Sequence, residues 1–495
     1  MGAWEDWVGY NRETAALNGA YAVVQWDQQT YMPAKAGAFR GEQLATLGRL
    51  VHERNTDPRV AEWIAAVGTL PDPTPVQVGA LRNQTRSYER SVRIPTALVG
   101  ALTQASSDGF GAWMAAREAS DFGAFAPTLE RIVGLTREKA AAIDSSRHPY
   151  DVMLEEFEPS ADTASLRAMF DRLSGGLTEL LDAIRGADAL PAHTEAYDVG
   201  AQLELFREVA DALGYDRSSG RVDLAAHPFT ISMGPGDTRI TVRCAEHDLL
   251  AGLGGCVHEA GHALYEQGLP SEWVGTGVED AASMGLHESQ SRFWENFIGR
   301  SRPFFCWLAP RLATRFGRQV DPEVLYRAAN RVVPGLIRVE ADEVTYNLHV
   351  IIRFELELAL LDGSLAVADL PDAWNARYQS LLGVAPPDDA HGVLQDVHWS
   401  GGMFGYFPSY TIGNLYAASL GAALEGHLPG LWEGVEAGDF TPVRDWLRHG
   451  LHQHAHVKEA PELMADVIGK RDHVADLLDH LWRRQGALHG VTRGA

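Results

Sequence analysis

Two histidines and a glutamate stand close together in the segment 257–265, Val-His-Glu-Ala-Gly-His-Ala-Leu-Tyr. On an α-helix four residues turn through roughly 400°, so His258 and His262 project from one face, one turn apart. Two imidazoles so placed can bind one metal ion, and the carboxylate of Glu259 lies beside them. The flanking residues are small and apolar, which predicts a buried helix, whereas surface histidines on an ordinary helix would not need such flanks.

The H-E-x-x-H pattern is the signature of zinc metallopeptidases, in which zinc takes three protein ligands and leaves a position for water. A metzincin would need glycine and histidine where this chain has Tyr265 and Gly268. We therefore look for the third ligand in the segment 283–296, where apolar residues recur at helical spacing around Glu288. The rivals that spacing leaves open are Glu279, Asp280 and His287.

Composition limits the class of protein. The chain has 495 residues, 45% hydrophobic and 22% charged, which are ordinary globular values. No apolar run approaches the ~20 residues of a membrane span, and the N-terminus lacks the basic and apolar regions of a secretory signal. The formal net charge of −24 argues against nucleic acid and anionic membrane as partners. We expect a cytoplasmic protein that binds neither.

Cysteines and C-terminal histidines offer two further candidate sites. Three cysteines are too few for a disulfide framework or a cysteine-based zinc site, which fits a reducing compartment. Cys256, beside the metal helix, is interpreted as a buried packing residue rather than a nucleophile.

The histidines near the end are His449, His452, His454 and His456. Their spacing does not keep one helical face, so we interpret them as a solvated helix end.

The remaining pattern predicts helix after helix, with apolar residues three to four apart and breaks at glycine and proline. No linker divides the chain, so we expect a single mainly α unit over residues 1–495. Segment 230–243 differs, because β-branched residues alternate on both sides of the turn 234–237 and predict a β-hairpin. This hairpin could offer an edge to an extended peptide or be purely structural.

Two later segments hold candidate binding residues. Residues 336–362 predict a helix on which Arg338, Asp342 and Tyr346 share one face at four-residue steps, although a salt-bridged helix surface would account for the same spacing. Residues 392–410 mix glycines, aromatic and polar residues, which suits a loop lining a cleft.

Six motifs together resemble the carboxypeptidase Taq family of metallocarboxypeptidases. In chain order they are His227-Pro228-Phe229, Asp237-x-Arg239-x-Thr241, His258-Glu259-Ala260-Gly261-His262, His287-Glu288-Ser289-Gln290, Ile337-Arg338-x-x-Ala341-Asp342 and Gly392-x-x-Gln395-Asp396-x-His398-Trp399. Similar stretches around Trp26 and Trp446 extend the likeness over essentially the whole chain. The loop 275–278 departs slightly, because it lacks a proline that the family pattern has.

The resemblance implies a mainly α, saddle-shaped single unit with a deep active-site groove and a small β-sheet or hairpin near the metal. Residues 1–160 would form a helical portion flanking the groove, and residues 220–415 the active-site segment. It also implies a homodimer that removes C-terminal residues from peptides with broad specificity. The metal ligands become His258, His262 and Glu288, the general base becomes Glu259, and the cofactor is Zn²⁺, replaceable by Co²⁺.

The chemistry then follows from these residue types. Zinc lowers the pKa of its bound water to about 7, and Glu259 can accept the proton and pass it to the leaving amine. Arginine's planar fork suits a terminal carboxylate, with Arg338 the first candidate and Arg239 the second. The oxyanion could be stabilised by His398, Tyr406 or Tyr410. The residues that could orient the metal ligands are His227, Asp237 and Asp396.

Two other functions fit the same residues. A zinc oligopeptidase that cuts internally would use the same metal and base but would need no carboxylate clamp. A non-catalytic helical scaffold held together by zinc would tolerate Glu259→Gln without loss of function.

Overall fold

The computed structural model describes residues 2–494. Helices make up 69% of it beside one small sheet, which confirms the predicted mainly α fold. The helices before the sheet are α1 (Ala3–Thr30), α2 (Gly37–Asn55), α3 (Pro58–Val67), α4 (Pro75–Arg93), α5 (Thr96–Ala119), α6 (Phe122–Asp144), α7 (Pro149–Leu154), α8 (Thr163–Arg185) and α9 (Val199–Leu213). Those after it are α10 (Leu249–Glu266), α11 (Met284–Arg292), α12 (Arg302–Phe316), α13 (Pro322–Ala329), α14 (Tyr346–Asp362), α15 (Leu370–Leu381), α16 (Phe407–His427), α17 (Leu431–Ala437), α18 (Thr441–Gly450), α19 (Ala460–Ile468) and α20 (His473–His489). Within residues 2–494, no helix has the length and apolarity needed to cross a bilayer.

Several helices begin where the sequence supplies a capping side chain. Asp162 accepts a hydrogen bond from the backbone N of Ser165 at 2.8 Å at the start of α8. Asp198 accepts one from Ala201 N, also at 2.8 Å, at the start of α9. Such caps satisfy amides that the first turn leaves free and contribute about 1 kcal/mol each.

The sheet contains the predicted hairpin and one strand that the sequence did not reveal. Strands β2 (Thr230–Ser232) and β3 (Thr238–Val242) are antiparallel, with Thr230 opposite Ile240, which confirms the hairpin. Strand β1 (Val222–Leu224) lies parallel to β3 on its other side. Since β3 is central, β2 is an edge strand.

The helices of residues 2–494 pack around a large and a small hydrophobic core. The large core draws residues from Ala105 to Trp482. A small core packs Trp7 of α1, Val67 of α3 and Ala80 of α4 against Val278. Because Val278 lies in the loop before α11, the N-terminal helices pack directly on the segment that leads to Glu288.

The prediction of one helix over residues 336–362 is wrong in its first turns. Arg338 lies in a short 3-10 turn, Arg338–Glu340, and α14 begins only at Tyr346. The Asp342 carboxylate accepts hydrogen bonds from the backbone N of Val344 and Thr345, both at 2.9 Å. This local side-chain bonding competes with a continuous helix.

The interpretation of the C-terminal histidines as a solvated helix end is wrong for His452. This side chain is buried, and its Nε2 lies 2.9 Å from Gln290 Oε1. Its ring centroid is 5.0 Å from that of Tyr265 on α10. The C-terminal region therefore packs on both helices that carry the H-E-x-x-H and His-Glu-Ser-Gln motifs.

A buried ion pair joins the start of α14 to the last helix. Glu343 accepts hydrogen bonds from Arg484 Nη1 at 2.8 Å and His480 Nε2 at 3.0 Å. Burial raises the pKa of this carboxyl, but Arg484 and His480 outweigh burial and lower the pKa to about 2. Because this folded-state pKa lies below the unfolded value near 4.5, its stabilisation is present above about pH 4.5 and is lost as the pH falls toward 2.

We expect Glu343→Gln to lower the free energy of unfolding at pH 7 by on the order of 3 kcal/mol. The variant should also show a flatter pH dependence of stability between about pH 4.5 and pH 2. Urea unfolding at fixed pH values measures both effects. Glu425→Gln, which removes the more exposed pair with Arg483 of α20, is the matched control. A wild-type pH dependence in Glu343→Gln would contradict the assignment.

Candidate active site

Helices α10 and α11 bring three candidate metal ligands together. His258 and His262 lie on α10, with ring centroids 4.9 Å apart. Glu288 Oε2, on α11, is 3.6 Å from His258 Nε2 and 3.2 Å from His262 Nε2. All three ligating atoms lie within 4.8 Å of one another. Two imidazole nitrogens and one carboxylate oxygen are a donor set of catalytic zinc sites, so these residues fit a zinc ion.

The three rivals for the third ligand have other surroundings. Glu279 accepts hydrogen bonds from the backbone N of Gly275 at 3.0 Å and Gly277 at 2.6 Å, and so holds the preceding loop. The His287 ring stacks on His262, with centroids 4.5 Å apart, and its Nε2 lies 2.9 Å from Glu266 Oε1. Asp280 lines the groove described below.

The position of α11 is set by its contact with α16. A Cβ at Gly413 of α16 would lie 2.5 Å from Glu288 Cγ, so glycine alone allows this approach. The buried Glu158 carboxylate accepts hydrogen bonds from Gly285 N at 2.5 Å and Ser409 Oγ at 2.7 Å. Glu158 therefore joins the N-terminal ends of the helices that carry Glu288 and Tyr410.

Two residues that sequence reasoning did not single out surround the candidate ligands. Arg292 donates from Nε to Glu288 Oε1 at 2.7 Å, which leaves Oε2 facing the histidines. Glu295 Oε2 accepts a hydrogen bond from His258 Nδ1 at 2.9 Å, as expected of a carboxylate that orients a metal-binding imidazole. The available sequence signal was the spacing, with Arg292 four residues after Glu288 and Glu295 three residues after Arg292.

Burial and neighbouring charges set protonation states of the three candidate ligands that favour binding of a cation. Burial lowers the pKa of His262 to about 3, so this imidazole is neutral at pH 7. Burial also lowers the pKa of His258, but Glu288 and Glu295 outweigh burial and leave it raised. Burial raises the pKa of Glu288, but Arg292 and the histidines hold it well below its ordinary value. A cation bound here would therefore meet an ionised carboxylate and displace any proton on His258.

Glu259 lies beside this cluster. The residue is 7% exposed, and its Oε2 accepts a hydrogen bond from Thr230 Oγ1 at 2.7 Å. Burial raises the pKa of Glu259, and the opposing effects of His258 and Thr230 do not cancel the rise. A raised pKa suits a carboxylate that takes up and releases a proton.

Cys256, on the same helix, is buried with its Sγ 3.3 Å from Phe206 O, which confirms it as a packing residue.

His398, Tyr406 and Tyr410 form one aromatic group. The predicted loop 392–410 is wrong at its end, because α16 begins at Phe407 and carries Tyr410. His398 Nε2 is 3.1 Å from the Tyr410 hydroxyl, and the ring centroids of Tyr406 and Tyr410 are 5.2 Å apart. Burial raises the pKa of both tyrosines, so both hydroxyls stay protonated at pH 7. Burial, assisted by Arg338, lowers the pKa of His398 to about 3 and keeps it neutral.

Arg338 belongs to a buried cluster with surplus positive charge. It donates to Asp396 Oδ1 from Nε at 3.0 Å and from Nη2 at 2.8 Å. Arg353, which the sequence did not single out, donates from Nε to the other oxygen of Asp396 at 2.8 Å. Arg353 is 0% exposed and Arg338 4%. Two buried guanidinium groups thus share one carboxylate.

Tyr346 connects this cluster to the candidate metal ligands. Arg338 Nη1 donates to the Tyr346 hydroxyl at 3.0 Å. On the other side, Arg292 Cζ, whose guanidinium also holds Glu288, lies 4.3 Å from the Tyr346 ring centroid. The Tyr346 ring therefore lies between Arg338 and Arg292, the arginine that binds Glu288.

The remaining sequence candidates make no hydrogen bond to His258, His262 or Glu288 among the described residues. Arg239 makes two hydrogen bonds to Asp237, at 2.8 and 2.7 Å, and its Cζ lies 4.4 Å from the Trp26 ring centroid. His227 is exposed. Asp396 binds the two arginines. Of the carboxylates in the described residues, Glu295 is the one that hydrogen-bonds His258 Nδ1.

A groove of about 1530 Å³ runs between the N-terminal helices and the metal-bearing segment. Its lining includes Asn18 of α1, Arg86 of α4, Met233 and Glu266. Glu266 contacts His287, which stacks on His262. These two side chains connect the groove lining to the candidate metal ligands, and His258, His262 and Glu288 do not themselves line the groove. Its size suits an extended peptide.

This chain is similar to known proteins over nearly its whole length. A family model described as "Carboxypeptidase Taq (M32) metallopeptidase" matches residues 7–485. "Thermostable carboxypeptidase 1" of Thermus thermophilus is 43% identical, with 99% of both chains covered. "Carboxypeptidase 1" of Bacillus subtilis is 35% identical, with 95% of both chains covered. The crystal structure of an M32 carboxypeptidase from Deinococcus radiodurans, 37% identical, superposes with a TM-score of 0.95 over 99% of this chain and 100% of that chain.

Proposed function

We propose that this chain, a metallocarboxypeptidase of the carboxypeptidase Taq (M32) family, releases single C-terminal residues from peptides with broad specificity. Its proposed zinc site is formed by His258, His262 and Glu288. The convergence of the three ligating atoms within 4.8 Å supports the metal assignment. Zinc bound there would polarise the scissile carbonyl and lower the pKa of a water molecule. The mixed nitrogen and oxygen donors would also accept Co²⁺.

Glu259 is the proposed general base. Its buried carboxylate takes a proton from the attacking water and then gives that proton to the nitrogen of the leaving amino acid. The raised pKa of Glu259 supports both transfers. The neutral donors Tyr406, Tyr410 and His398 are proposed to stabilise the negative charge that develops on the carbonyl oxygen.

The proposed specificity for a free C-terminus rests on the excess positive charge of the buried Arg338 cluster. Arg338 and Arg353 share Asp396 as their carboxylate partner. A buried cation without a full counter-charge is costly, and an incoming carboxylate would relieve that cost. Arg338 is the proposed clamp because it faces the aromatic group, with its Cζ 4.7 Å from the Tyr410 ring centroid. Arg239, paired with Asp237, is the second candidate.

The upstream part of the substrate is proposed to lie along the edge of β2 and in the adjoining groove. Strand β2 is at the edge of the sheet, and Ser232 and Met233 line the groove. An extended peptide can add to such an edge through backbone hydrogen bonds without regard to its side chains, which supports broad specificity.

We further propose that the protein works in the cytoplasm as a homodimer of single structural units. The three cysteines are unpaired, as in a reducing compartment. The large core includes residues from Ala105 to Trp482, which supports one unit. The net charge of −24 supports peptides rather than nucleic acid as partners.

Timed mass spectrometry of short peptides, each with a free and an amidated C-terminus, tests this function. We expect stepwise loss of single residues from the free peptides over a period in which the amidated ones stay essentially uncleaved. Chelation should abolish the activity, and Zn²⁺ or Co²⁺ should restore it. Internal fragments from both peptide sets would instead assign an oligopeptidase. Absence of cleavage with either metal would leave a helical metal-binding scaffold.

A further inference from the structure

Thr230 lies where the strand edge meets the metal helix. Its Oγ1 is 2.7 Å from Glu259 Oε2 and 3.0 Å from the Glu259 backbone O. A hydroxyl has one proton to donate, and the shorter contact leads to the carboxylate. We propose that Thr230 is a positioning residue that fixes the orientation of the general base, a role that rests on the proposed function of Glu259.

The Glu259 carboxylate depends on this hydroxyl for its orientation. Within residues 2–494, Thr230 is the one side chain that hydrogen-bonds the Glu259 carboxylate. His258 and His287 act on the same carboxylate electrostatically. A free carboxylate would turn toward whichever imidazole carries charge, because the terminal torsion of glutamate is soft. With Oε2 held by Thr230, Oε1 is the oxygen that takes the proton from water.

Thr230 is itself held in place. Its neighbour Phe229 donates from N to Thr241 Oγ1 at 2.9 Å and accepts at its O from Thr241 N at 2.9 Å. At the other end of the strand, Met233 N donates to Asp237 O at 2.8 Å. Threonine is also stiff at χ1 because it branches at Cβ. The hairpin therefore presents the hydroxyl at one fixed point against α10.

The same residue carries part of the free edge of the sheet. Phe229 and Met233 turn their backbone groups toward β3, and hydrogen bonding alternates along an antiparallel strand. The backbone groups of Thr230 and Ser232 consequently face away from the sheet. A peptide paired with this edge would be bound by Thr230, which also holds the base Glu259. The position of the scissile bond relative to Glu259 would then be fixed by one residue.

The test compares three variants with the wild-type, metal-loaded enzyme. Thr230→Val removes the hydroxyl but keeps the side-chain shape, and we expect kcat to fall about 10- to 100-fold while KM changes less than about threefold. Metal content should be unchanged. Thr230→Ser keeps the hydroxyl and should stay within about threefold of wild type. Thr136→Val, which removes a buried hydroxyl bonded to Ile132 O on α6, is the matched control and should leave kcat unchanged.

A double-mutant cycle separates this inference from the role of Glu259. If Thr230 acts through the base, Thr230→Val should cause no further loss in the Glu259→Gln background. A fully additive loss, or wild-type kcat in Thr230→Val with Glu259→Gln inactive, would overturn the positioning role alone. An active Glu259→Gln would overturn the proposed base and this inference with it. If Thr230→Val fails to fold, Thr230→Ala removes the same hydroxyl and is judged by the same outcomes.

Discussion

Glu259→Gln is expected to reduce kcat for a free peptide by about 10³-fold or more, because an amide cannot accept the proton of the attacking water. Metal binding should persist, since the three proposed ligands are His258, His262 and Glu288. The amide keeps the size of the side chain and can still accept a hydrogen bond from Thr230 through its oxygen. Stability should therefore change little.

Single-turnover cleavage measured together with metal content separates loss of the base from loss of the metal. Glu425→Gln is the matched control, because Glu425 lies on α16 far from Tyr410 and pairs with Arg483 at the surface. It should leave both kcat and metal content at wild-type values. Activity of Glu259→Gln within about tenfold of wild type would show that another group takes the proton.

The parts of the site visible in the sequence are those fixed by local periodicity. His258 and His262 share a face because α10 is regular through both residues, and the hairpin follows from alternation around a glycine turn. Both patterns depend on residues within one element. The same reasoning failed at Arg338, because Asp342 bonds to nearby backbone groups and interrupts the expected helix.

The parts not visible in the sequence depend on contacts between distant segments. Arg353 is an arginine inside an apolar helical pattern, and only its packing against Asp396 shows that it adds a second cation to the Arg338 cluster. Burial of His452 likewise depends on Gln290, and strand β1 depends on pairing with β3. Thr230 carries no motif that ties it to Glu259. Spacing along the chain does not encode such pairings, because tertiary packing decides them.

Arg338→Ala is expected to remove the preference for a free C-terminus. The kcat/KM for free peptides should fall about 10²- to 10³-fold, because losing one partner of a buried charged contact costs about 2–5 kcal/mol. Amidated peptides offer no carboxylate to the clamp, so their already low cleavage should change much less. The ratio of the two kcat/KM values, measured with matched peptide pairs, should therefore collapse toward one.

Arg484→Ala is the matched control for deleting a buried guanidinium, because Arg484 is 8% exposed in its side chain and pairs with Glu343, which makes no hydrogen bond to the proposed metal ligands. It should lower stability but keep the ratio of free to amidated cleavage. Arg338→Lys retains a charge without the planar fork and should recover only part of the preference, since lysine cannot bind a carboxylate through two parallel hydrogen bonds. If Arg338→Ala keeps the wild-type ratio, the terminal carboxylate is held elsewhere, and Arg239→Ala becomes the decisive variant. If the enzyme were an oligopeptidase, the ratio of kcat/KM for free and amidated peptides would be near one in the wild type and in every variant, because internal cleavage does not depend on the charge of the C-terminus.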